Sequence, residues 1–326
     1  MQEKLTQKLD SLKKTIESSR SIVITGHERP DGDCVGSQYA LYQLLTERGK
    51  DVFIVNPDPP PAVFDFLTDE LVFRTTPPDD SPDLAIIIDC GNLDRTGSMS
   101  GYLQSASRLV VMDHHRHNSI SADLRLVTTD VSSVGELVYY LYENFSQAIT
   151  ADVAEALYAS ILTDTGCFRH ANTTAGTHRV VADLIDTGEL EPYRIYSQIY
   201  ERERLESVLL LGEVLTNLKR RNGVVYSEVP RDLFAATGTD EEDLKEVINY
   251  LRQVEESQVA LLFCERPGGE IKVSFRSKTE LDLLPVVNRF GGGGHSGAAG
   301  ATVEGDISEV REAVLEAVVE ELKRGE

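Results

Sequence analysis

Short apolar runs alternate with amphipathic stretches along the first half of the chain. The apolar runs are short enough to be strands and lie at 21–27, 51–56, 84–90 and 108–114. The amphipathic or otherwise helical stretches lie at 1–20, 35–48, 135–145, 151–164 and 173–188. Strands that are apolar on both faces and are separated by helices or loops are typical of a buried parallel sheet. We therefore predict an α/β fold, with a mostly parallel sheet flanked by helices.

The pattern changes near residue 190. A polar, mostly helical stretch from Pro192 to Lys219 contains the charged run ERERLE, and we interpret it as a connector. The elements predicted after it are a strand at 223–228, a helix at 240–256, strands at 259–265 and 271–277, a glycine-rich turn at 291–294 and a helix near 307–324. We therefore predict an α/β domain over 1–190, a helical linker over 191–220 and a smaller α+β domain over 221–326.

The net charge of the chain argues against some classes of binding partner. The 326 residues carry a formal net charge of −22. That surplus argues against binding to long duplex nucleic acid or to an anionic membrane, because both require a basic surface. The polar start of the chain is not typical of a signal peptide, and no apolar run reaches 18 residues. The four cysteines form no CxxC motif, so we expect reduced thiols and a cytoplasmic location.

Acidic and histidine residues follow the predicted strands at the positions where ligand sites form in open α/β sheets. One further aspartate, Asp164, follows a predicted helix. Hard or borderline divalent ions prefer aspartate oxygens, and imidazole suits transition metals, so this composition favours Mn²⁺ over Mg²⁺, with Co²⁺ and Zn²⁺ left open. Asp89 closes a central strand alone, which suits a carboxylate that bridges two ions. The residues concerned are His27, Asp31, Asp33, Asp89, Asp113, His114, His115 and Asp164.

The order and spacing of these residues resemble the four motifs of the DHH phosphoesterase superfamily, across residues 21 to about 170. The later run FGGGGHSGAAG at 290–300 resembles the glycine-rich signature of the associated DHHA1 domain. The resemblance implies two divalent ions. His27 and Asp31 would hold one ion, Asp89 would bridge both, and the second ion would be held by Asp33, His114 and Asp164. It also implies that His115 contacts the scissile phosphate or leaving oxygen, and that Asp113 orients its neighbours.

A second set of candidates lies in the predicted α+β domain, where a strand ends in cationic and hydroxyl side chains and a glycine run exposes backbone N–H groups. Such N–H groups form anion-binding concavities, so we expect this set to bind a second phosphate of a nucleotide. The domain would then be the substrate-binding DHHA1 domain. The candidates are Arg276, Ser277, Lys278, Gly292, Gly293, Gly294 and His295.

Within the superfamily, the chain looks most like the nanoRNase and 3′-phosphoadenosine-5′-phosphate (pAp) phosphatase group. The resemblance implies a Mn²⁺-dependent phosphohydrolase in which a two-metal-activated hydroxide cleaves very short RNA and nucleoside 3′,5′-bisphosphates. Phosphodiesterases for linear or cyclic signalling dinucleotides, a pyrophosphatase and a non-catalytic nucleotide-binding module remain alternatives. A homodimer is left open. One departure is Ser296–Gly297, where many relatives have a basic or amide residue after the glycines and histidine.

Overall fold

The computed structural model describes residues 2–67, 72–188, 190–244, 247–278, 281–295 and 297–325. The chain divides into two compact units, Met1–Arg202 and Glu203–Glu326. This boundary lies inside the segment that the sequence assigns to a linker. The three-part division at residues 190 and 220 stays a prediction.

The first unit is built on a six-stranded parallel sheet. Its strands are β1 Ser21–Thr25, β2 Asp51–Val55, β3 Phe73–Arg74, β4 Leu84–Ile88, β5 Arg108–Asp113 and β6 Leu124–Val127. Their order is β3-β2-β1-β4-β5-β6, and each neighbouring pair is parallel. The predicted parallel sheet is therefore confirmed, with two short edge strands, β3 and β6, that the sequence pattern did not predict.

Helices cover both faces of this sheet. They are α1 Gln2–Glu17, α2 Gly32–Glu47, α3 Ser100–Leu103, α4 Val134–Phe145, α5 Ala151–Asp164, α6 Ala175–Ile185 and α7 Pro192–Tyr200. Alternate residues of β4 point to opposite faces, so Ile86 packs in the cluster under α2, α4 and α5, and Ile87 packs in the cluster under α3. This burial on both faces explains why β4 contains no polar residue.

Close packing of α2 against α5 brings two site residues, one from each helix, near the same edge of the sheet. The approach requires a glycine, because a Cβ at Gly36 would lie only 2.3 Å from the carbonyl oxygen of Ala156. The helix α2 begins beside Asp31, whose side chain accepts hydrogen bonds from the first free N–H groups of the helix. Asp33, in the first turn of α2, and Asp164, the last residue of α5, are thereby brought to the site.

The second unit has a mixed six-stranded sheet. Its strands are β7 Lys219–Arg221, β8 Val224–Val229, β9 Val259–Arg266, β10 Glu270–Ser277, β11 Gly293–His295 and β12 Ala298–Glu304. Their order is β11-β12-β10-β9-β8-β7. Among the described residues, β8 and β9 pair in parallel and the other neighbours pair antiparallel. The accompanying helices are α8 Leu205–Thr216, α9 Arg231–Thr237, α10 Val247–Arg252, α11 Leu284–Arg289 and α12 Ile307–Gly325. This is the α+β composition that the sequence predicts.

Two elements of the second unit differ from the prediction. In place of one helix over 240–256, the described residues form a 3-10 turn at Glu241–Leu244 and the short helix α10. Glu241 is held there by ion pairs to Arg266 and Lys272, contacts that no local pattern reveals. The predicted glycine-rich turn at 291–294 also contributes to β11, which pairs with β12.

None of the described helices combines the length and the apolar composition needed to cross a membrane.

Candidate active site

The carboxyl ends of three adjacent strands, β1, β4 and β5, carry most of the predicted site residues. His27 follows β1 by two residues, Asp89 follows β4 directly, and Asp113 is the last residue of β5. These strands are neighbours in one parallel sheet, so their ends lie side by side at one edge. The fold therefore brings together residues that are more than 80 positions apart in the sequence.

Asp89 occupies the centre of the site in an unusual backbone conformation. Its φ angle is 52°, in the left-handed region that non-glycine residues rarely adopt, although aspartate tolerates it better than most. Its backbone N–H donates to the carbonyl oxygen of Met112 on β5, 3.0 Å away. The side chain is only 3% exposed. The chain direction thus changes at Asp89, and its carboxylate is held inside the site.

The two oxygens of Asp89 face two different imidazoles. Oδ2 lies 3.4 Å from Nε2 of His27, and Oδ1 lies 3.6 Å from Nε2 of His114. Nε2 of His27 is also 3.9 Å from Oδ2 of Asp31. Nε2 of His114 is 3.7 Å from Oδ2 of Asp33 and 3.7 Å from Oδ2 of Asp164. The carboxylate of Asp89 thus belongs to two groups of potential metal ligands.

These separations fit cations better than direct hydrogen bonds. Hydrogen bonds in proteins are about 2.7–3.2 Å long, whereas two atoms that each lie about 2.1 Å from one ion are up to about 4.2 Å apart. Within the described residues, Oδ1 of Asp89 and Nε2 of His114 are buried and make no hydrogen bond. Buried polar atoms without partners are costly, which supports a bound ion as the missing partner. The residues therefore fit a site for divalent metal.

Surrounding groups orient each side chain so that its second polar atom faces the centre. Nδ1 of His27 lies 2.7 Å from the carbonyl oxygen of Glu28, so this nitrogen is the donor and Nε2 retains its lone pair. Oδ1 of Asp31 accepts hydrogen bonds from the backbone N–H groups of Asp33 and Cys34. Oδ2 of Asp31 is left for the site, where its side chain is 59% exposed. The ligand group formed by His27, Asp31 and Asp89 is thus open to solvent at Asp31.

Asp33 is almost completely buried, with 1% of its side chain exposed. Its Oδ1 accepts from the hydroxyls of Ser160 at 2.6 Å and Ser37 at 2.9 Å. Backbone N–H groups at the start of α4 also donate to it, Val134 to Oδ2 at 2.9 Å and Gly135 to Oδ1 at 3.2 Å. Asp33 therefore connects α2, α4 and α5 as well as facing the site.

The acidic groups compete for positive charge. Burial, together with the negative charge of Asp89, raises the pKa of Asp33 to about 8. Burial would also raise the pKa of Asp89, but the imidazoles of His114 and His27 lower it to about 2. Burial would lower the pKa of His114, but the facing carboxylates, first that of Asp89, raise it to about 10. Protons thus supply part of the positive charge that this cluster requires when no cation is bound.

His115 is positioned differently from its neighbour His114. Its Nδ1 lies 2.7 Å from Oδ1 of the fully buried Asp113, and its side chain is 44% exposed. Asn118 fixes Asp113 from the other side by donating to Oδ2 at 2.6 Å. Because Nδ1 donates to Asp113, Nε2 on the far side of the ring is the nitrogen available to a substrate. Nδ1 is also 3.5 Å from Oδ1 of Asp89, so His115 adjoins the ligand cluster.

Three site residues escaped the sequence analysis as functional candidates. Asn172 donates to Oδ2 of Asp164 at 2.8 Å and to the carbonyl oxygen of Ser132, so it orients Asp164. The sulfur of Cys34 lies within 4.8 Å of ligand atoms of His27 and Asp89. Burial raises the pKa of the Cys34 thiol well above its usual range, which favours the neutral form. The third residue is Asn118, which orients Asp113.

The predicted substrate-binding residues lie at one edge of the second sheet. Arg276 on β10 and His295 on β11 both pair with Ala298 of the strand between them, so the three form one row across the sheet. Nη1 of Arg276 donates to the carbonyl oxygen of Phe275 at 3.0 Å. Ser277 is buried. Nζ of Lys278 donates hydrogen bonds to the backbone carbonyl oxygens of Val254 and Glu255, at 3.1 and 3.3 Å.

The glycines in this region have a packing role. A Cβ at Gly292 would lie 2.2 Å from the carbonyl oxygen of Gly300, and one at Gly294 would lie 2.6 Å from Cα of Ala299. Gly294 also has a φ angle of 141°, where side chains are disfavoured. A Cβ at Gly293, by contrast, would have no heavy atom within 4 Å. Close strand approach thus accounts for two of the three predicted glycines.

Two family models match this chain. Residues 21–161 match the model of the DHH family, N-terminal domain, and residues 221–324 match that of the DHHA1 domain. A Thermus thermophilus protein is 32% identical over 309 residues, covering 93% of this chain and 90% of that protein. The chain belongs to the DHH family. Membership confirms the family predicted from the sequence, and with it the phosphoesterase class.

The relatives of this DHH protein agree with one another in name. The Thermus thermophilus protein and a Bacillus subtilis protein, 30% identical over 89% of this chain and 91% of its own length, are each named "bifunctional oligoribonuclease and PAP phosphatase NrnA". A crystal structure of an exopolyphosphatase-related protein from Bacteroides fragilis shares the fold, with a TM-score of 0.85 and 23% identity over 98% of this chain and 97% of that one. The predicted fold class is confirmed.

Proposed function

We propose that this DHH protein is a phosphohydrolase, dependent on divalent metal, that degrades very short RNA and removes a phosphate from nucleoside 3′,5′-bisphosphates such as pAp. The observation that carries this proposal is the shared carboxylate of Asp89, whose two oxygens face His27 and His114 separately. A single carboxylate between two ligand groups is the arrangement used by two-metal phosphoesterases. The names of the relatives, which cover most of the chain, support this choice of substrates.

The proposed ligands form two sets that share Asp89. The first set is completed by His27 and Asp31, and the second by Asp33, His114 and Asp164. When bound, two divalent cations, for which we propose Mn²⁺, would supply an activated water near neutral pH and positive charge opposite the phosphoryl oxygens. The protein contributes ligand atoms that are already oriented by Glu28, Ser160 and the start of α4.

We propose that His115 acts on the leaving group of the reaction. Asp113 accepts a hydrogen bond from the Nδ1–H of His115, so it holds the ring and favours the protonated imidazole. The side-chain contact with Asp113 raises the pKa of His115, although burial opposes this. Nε2 can then hydrogen bond to the scissile phosphate and donate a proton to the departing oxygen. Asp113 is in this account a positioning residue.

We further propose that residues 221–326 form the substrate-binding domain, with Arg276, Ser277, Lys278, Gly292–Gly294 and His295 at its substrate-facing edge. Arg276 and His295 share a row with Ala298, which supports a common surface. We also propose a cytoplasmic location, since the four cysteines form no CxxC motif. We propose action on short single strands rather than on long duplexes because the net charge is −22.

The substrate assignment is tested with a panel of pAp, RNA of two to five nucleotides, pApA, pGpG, cyclic dinucleotides and pyrophosphate. Phosphate and nucleotide products are both quantified. We expect turnover of short RNA and pAp with Mn²⁺, loss of turnover after chelation, and recovery when Mn²⁺ is restored. Preference for the dinucleotides alone would identify a dedicated signalling phosphodiesterase. Tight binding without any product would identify a non-catalytic module and contradict the proposal.

Replacing His115 with alanine should lower kcat for pAp by roughly 10²- to 10⁴-fold, the usual contribution of a general acid. Metal affinity should change little, because His115 lies outside both proposed ligand sets. The matched control is His178→Ala, which removes an exposed imidazole on α6, away from the proposed ligands. Comparable loss of Mn²⁺ binding in His115→Ala would show that His115 is a ligand instead.

A further inference from the structure

An open pocket of about 580 Å³ adjoins His115 in the first unit. Its walls come from two loops, one after β4 and one after β5. Residues of the first loop that line it include Gly91, Asn92 and Arg95; Arg116 and Ser119 belong to the second. His115 also lines the pocket, so the pocket and the proposed reaction centre share a side chain.

Backbone contacts fasten the two loops to each other. The N–H of Ser119 donates to the carbonyl oxygen of Gly91 at 2.8 Å, and the side-chain amide of Asn118 donates to that of Cys90 at 3.0 Å. A Cβ at Gly91 would lie 2.7 Å from the carbonyl oxygen of His117, so only glycine permits this approach. A pocket with walls held in this way is formed before a ligand arrives, which reduces the entropy lost on binding.

The pocket carries two cations without acidic partners. Arg95 and Arg116 are both exposed, and in the part of the chain that the structure describes neither guanidinium makes an ion pair or a side-chain hydrogen bond. Asp94, which is exposed beside Arg95, is the acid of the same loop. Some other arginines pair with an acid, for example Arg311 with Glu228. Two exposed guanidinium groups on one pocket make its wall locally positive in a chain of net charge −22.

Guanidinium groups bind phosphate oxygens with paired N–H donors. We propose that the Arg95–Arg116 pocket binds a phosphate of the substrate other than the one that is cleaved. The inference rests on the proposed function and places a second-phosphate site in the first unit itself. Lys278, one of the two cations of the second unit expected to serve this purpose, already contacts two backbone carbonyls. The pocket ligand is thus the 5′-phosphate of a short oligonucleotide or the retained phosphate of a bisphosphate.

The test compares pApA with ApA, which has the same scissile diester and lacks the 5′-phosphate. Arg95→Gln and Arg116→Gln should each raise the KM for pApA roughly tenfold, the usual effect of losing a charge-assisted hydrogen bond. The KM for ApA should stay within about twofold of the wild-type value. The matched control is Arg108→Gln, at the amino end of β5 and therefore at the opposite edge of the sheet. It should alter neither KM.

Unchanged KM values for pApA in both pocket variants, or an equal rise for ApA, would overturn the proposed pocket. A pApA-specific loss in Arg276→Gln with none in the pocket variants would also overturn it and assign the phosphate to the second unit. These outcomes differ from failure of the proposed function, in which wild-type protein with Mn²⁺ turns over neither short RNA nor pAp.

Discussion

Asp89→Asn is expected to lower hydrolysis of pAp and short RNA by roughly 10³-fold or more, because one side chain serves both proposed ligand sets. Asparagine retains the size of aspartate but has only one oxygen, and it carries no charge. It cannot offer an anionic oxygen to both the His27 and the His114 sides of the site. We therefore expect bound Mn²⁺ to fall together with activity, as measured by metal analysis after dialysis.

The fold of Asp89→Asn should survive. Asparagine tolerates the left-handed backbone conformation found at this position, whereas alanine would add about 1–2 kcal/mol of strain. Circular dichroism should therefore match the wild-type spectrum. The free energy of unfolding without metal should fall by no more than about 3 kcal/mol, the cost of losing the charge contacts with the two imidazoles. An active Asp89→Asn protein would remove Asp89 from the bridging role, and an unfolded one would leave the role to be tested with Asp89→Glu, which should fold yet misplace the oxygens.

Asp33→Ala should abolish activity and also destabilise the protein, in contrast with Asp89→Asn. Asp33 accepts hydrogen bonds from Ser37, Ser160 and two backbone N–H groups of α4. Removing the acceptor leaves buried donors unsatisfied, of which the N–H of Val134 has no alternative in the described structure. We expect the free energy of unfolding to fall by about 2–4 kcal/mol in the absence of metal, as measured by urea denaturation.

Ser160→Ala provides the control for this prediction. It removes one donor to Asp33 and retains the carboxylate as a ligand. We expect a loss of about 1 kcal/mol in the free energy of unfolding, with activity within about tenfold of the wild-type value. If Asp33→Ala is as stable as the wild type, the hydrogen bonds to Asp33 do not link the three helices as described.

The sequence predicted the first unit well because its signals are local. The apolar run at β4 and the aspartate that ends it are adjacent, so strand and candidate ligand could be recognised together. The same holds for Asp113, His114 and His115 at the end of β5. Parallel pairing then requires these ends to meet, which explains why residues 27, 89 and 114 could be grouped from the sequence alone.

The residues that were missed depend on tertiary contacts. Asn172 reaches Asp164 because the loop after α5 turns back, through three consecutive residues with positive φ angles, Gly166, Cys167 and Phe168. Cys167 and Phe168 are not residues that favour such a conformation, so their sequence gives no indication of it. Similarly, β11 consists of Gly293–His295, whose glycines have low strand propensity, and it exists because β12 pairs with it.

Arg95 and Arg116 illustrate the same limit at a binding surface. The sequence does not distinguish either residue from an ordinary surface arginine, and the two are 21 positions apart. The contacts of Ser119 with Gly91 and of Asn118 with Cys90 bring their loops together. Whether a surface arginine has an acidic partner is a property of the folded chain, so no motif could have identified this pair.

The central claim is that one aspartate joins two metal sites, and the stoichiometry of bound metal tests it most directly. Metal-free protein is titrated with Mn²⁺ at fixed pH, and free ion is followed by electron paramagnetic resonance. We predict two Mn²⁺ ions per chain in the wild type, with spin coupling between them, and loss of that coupling in Asp89→Asn. A single ion, or two uncoupled ions unaffected by Asp89→Asn, would contradict the account.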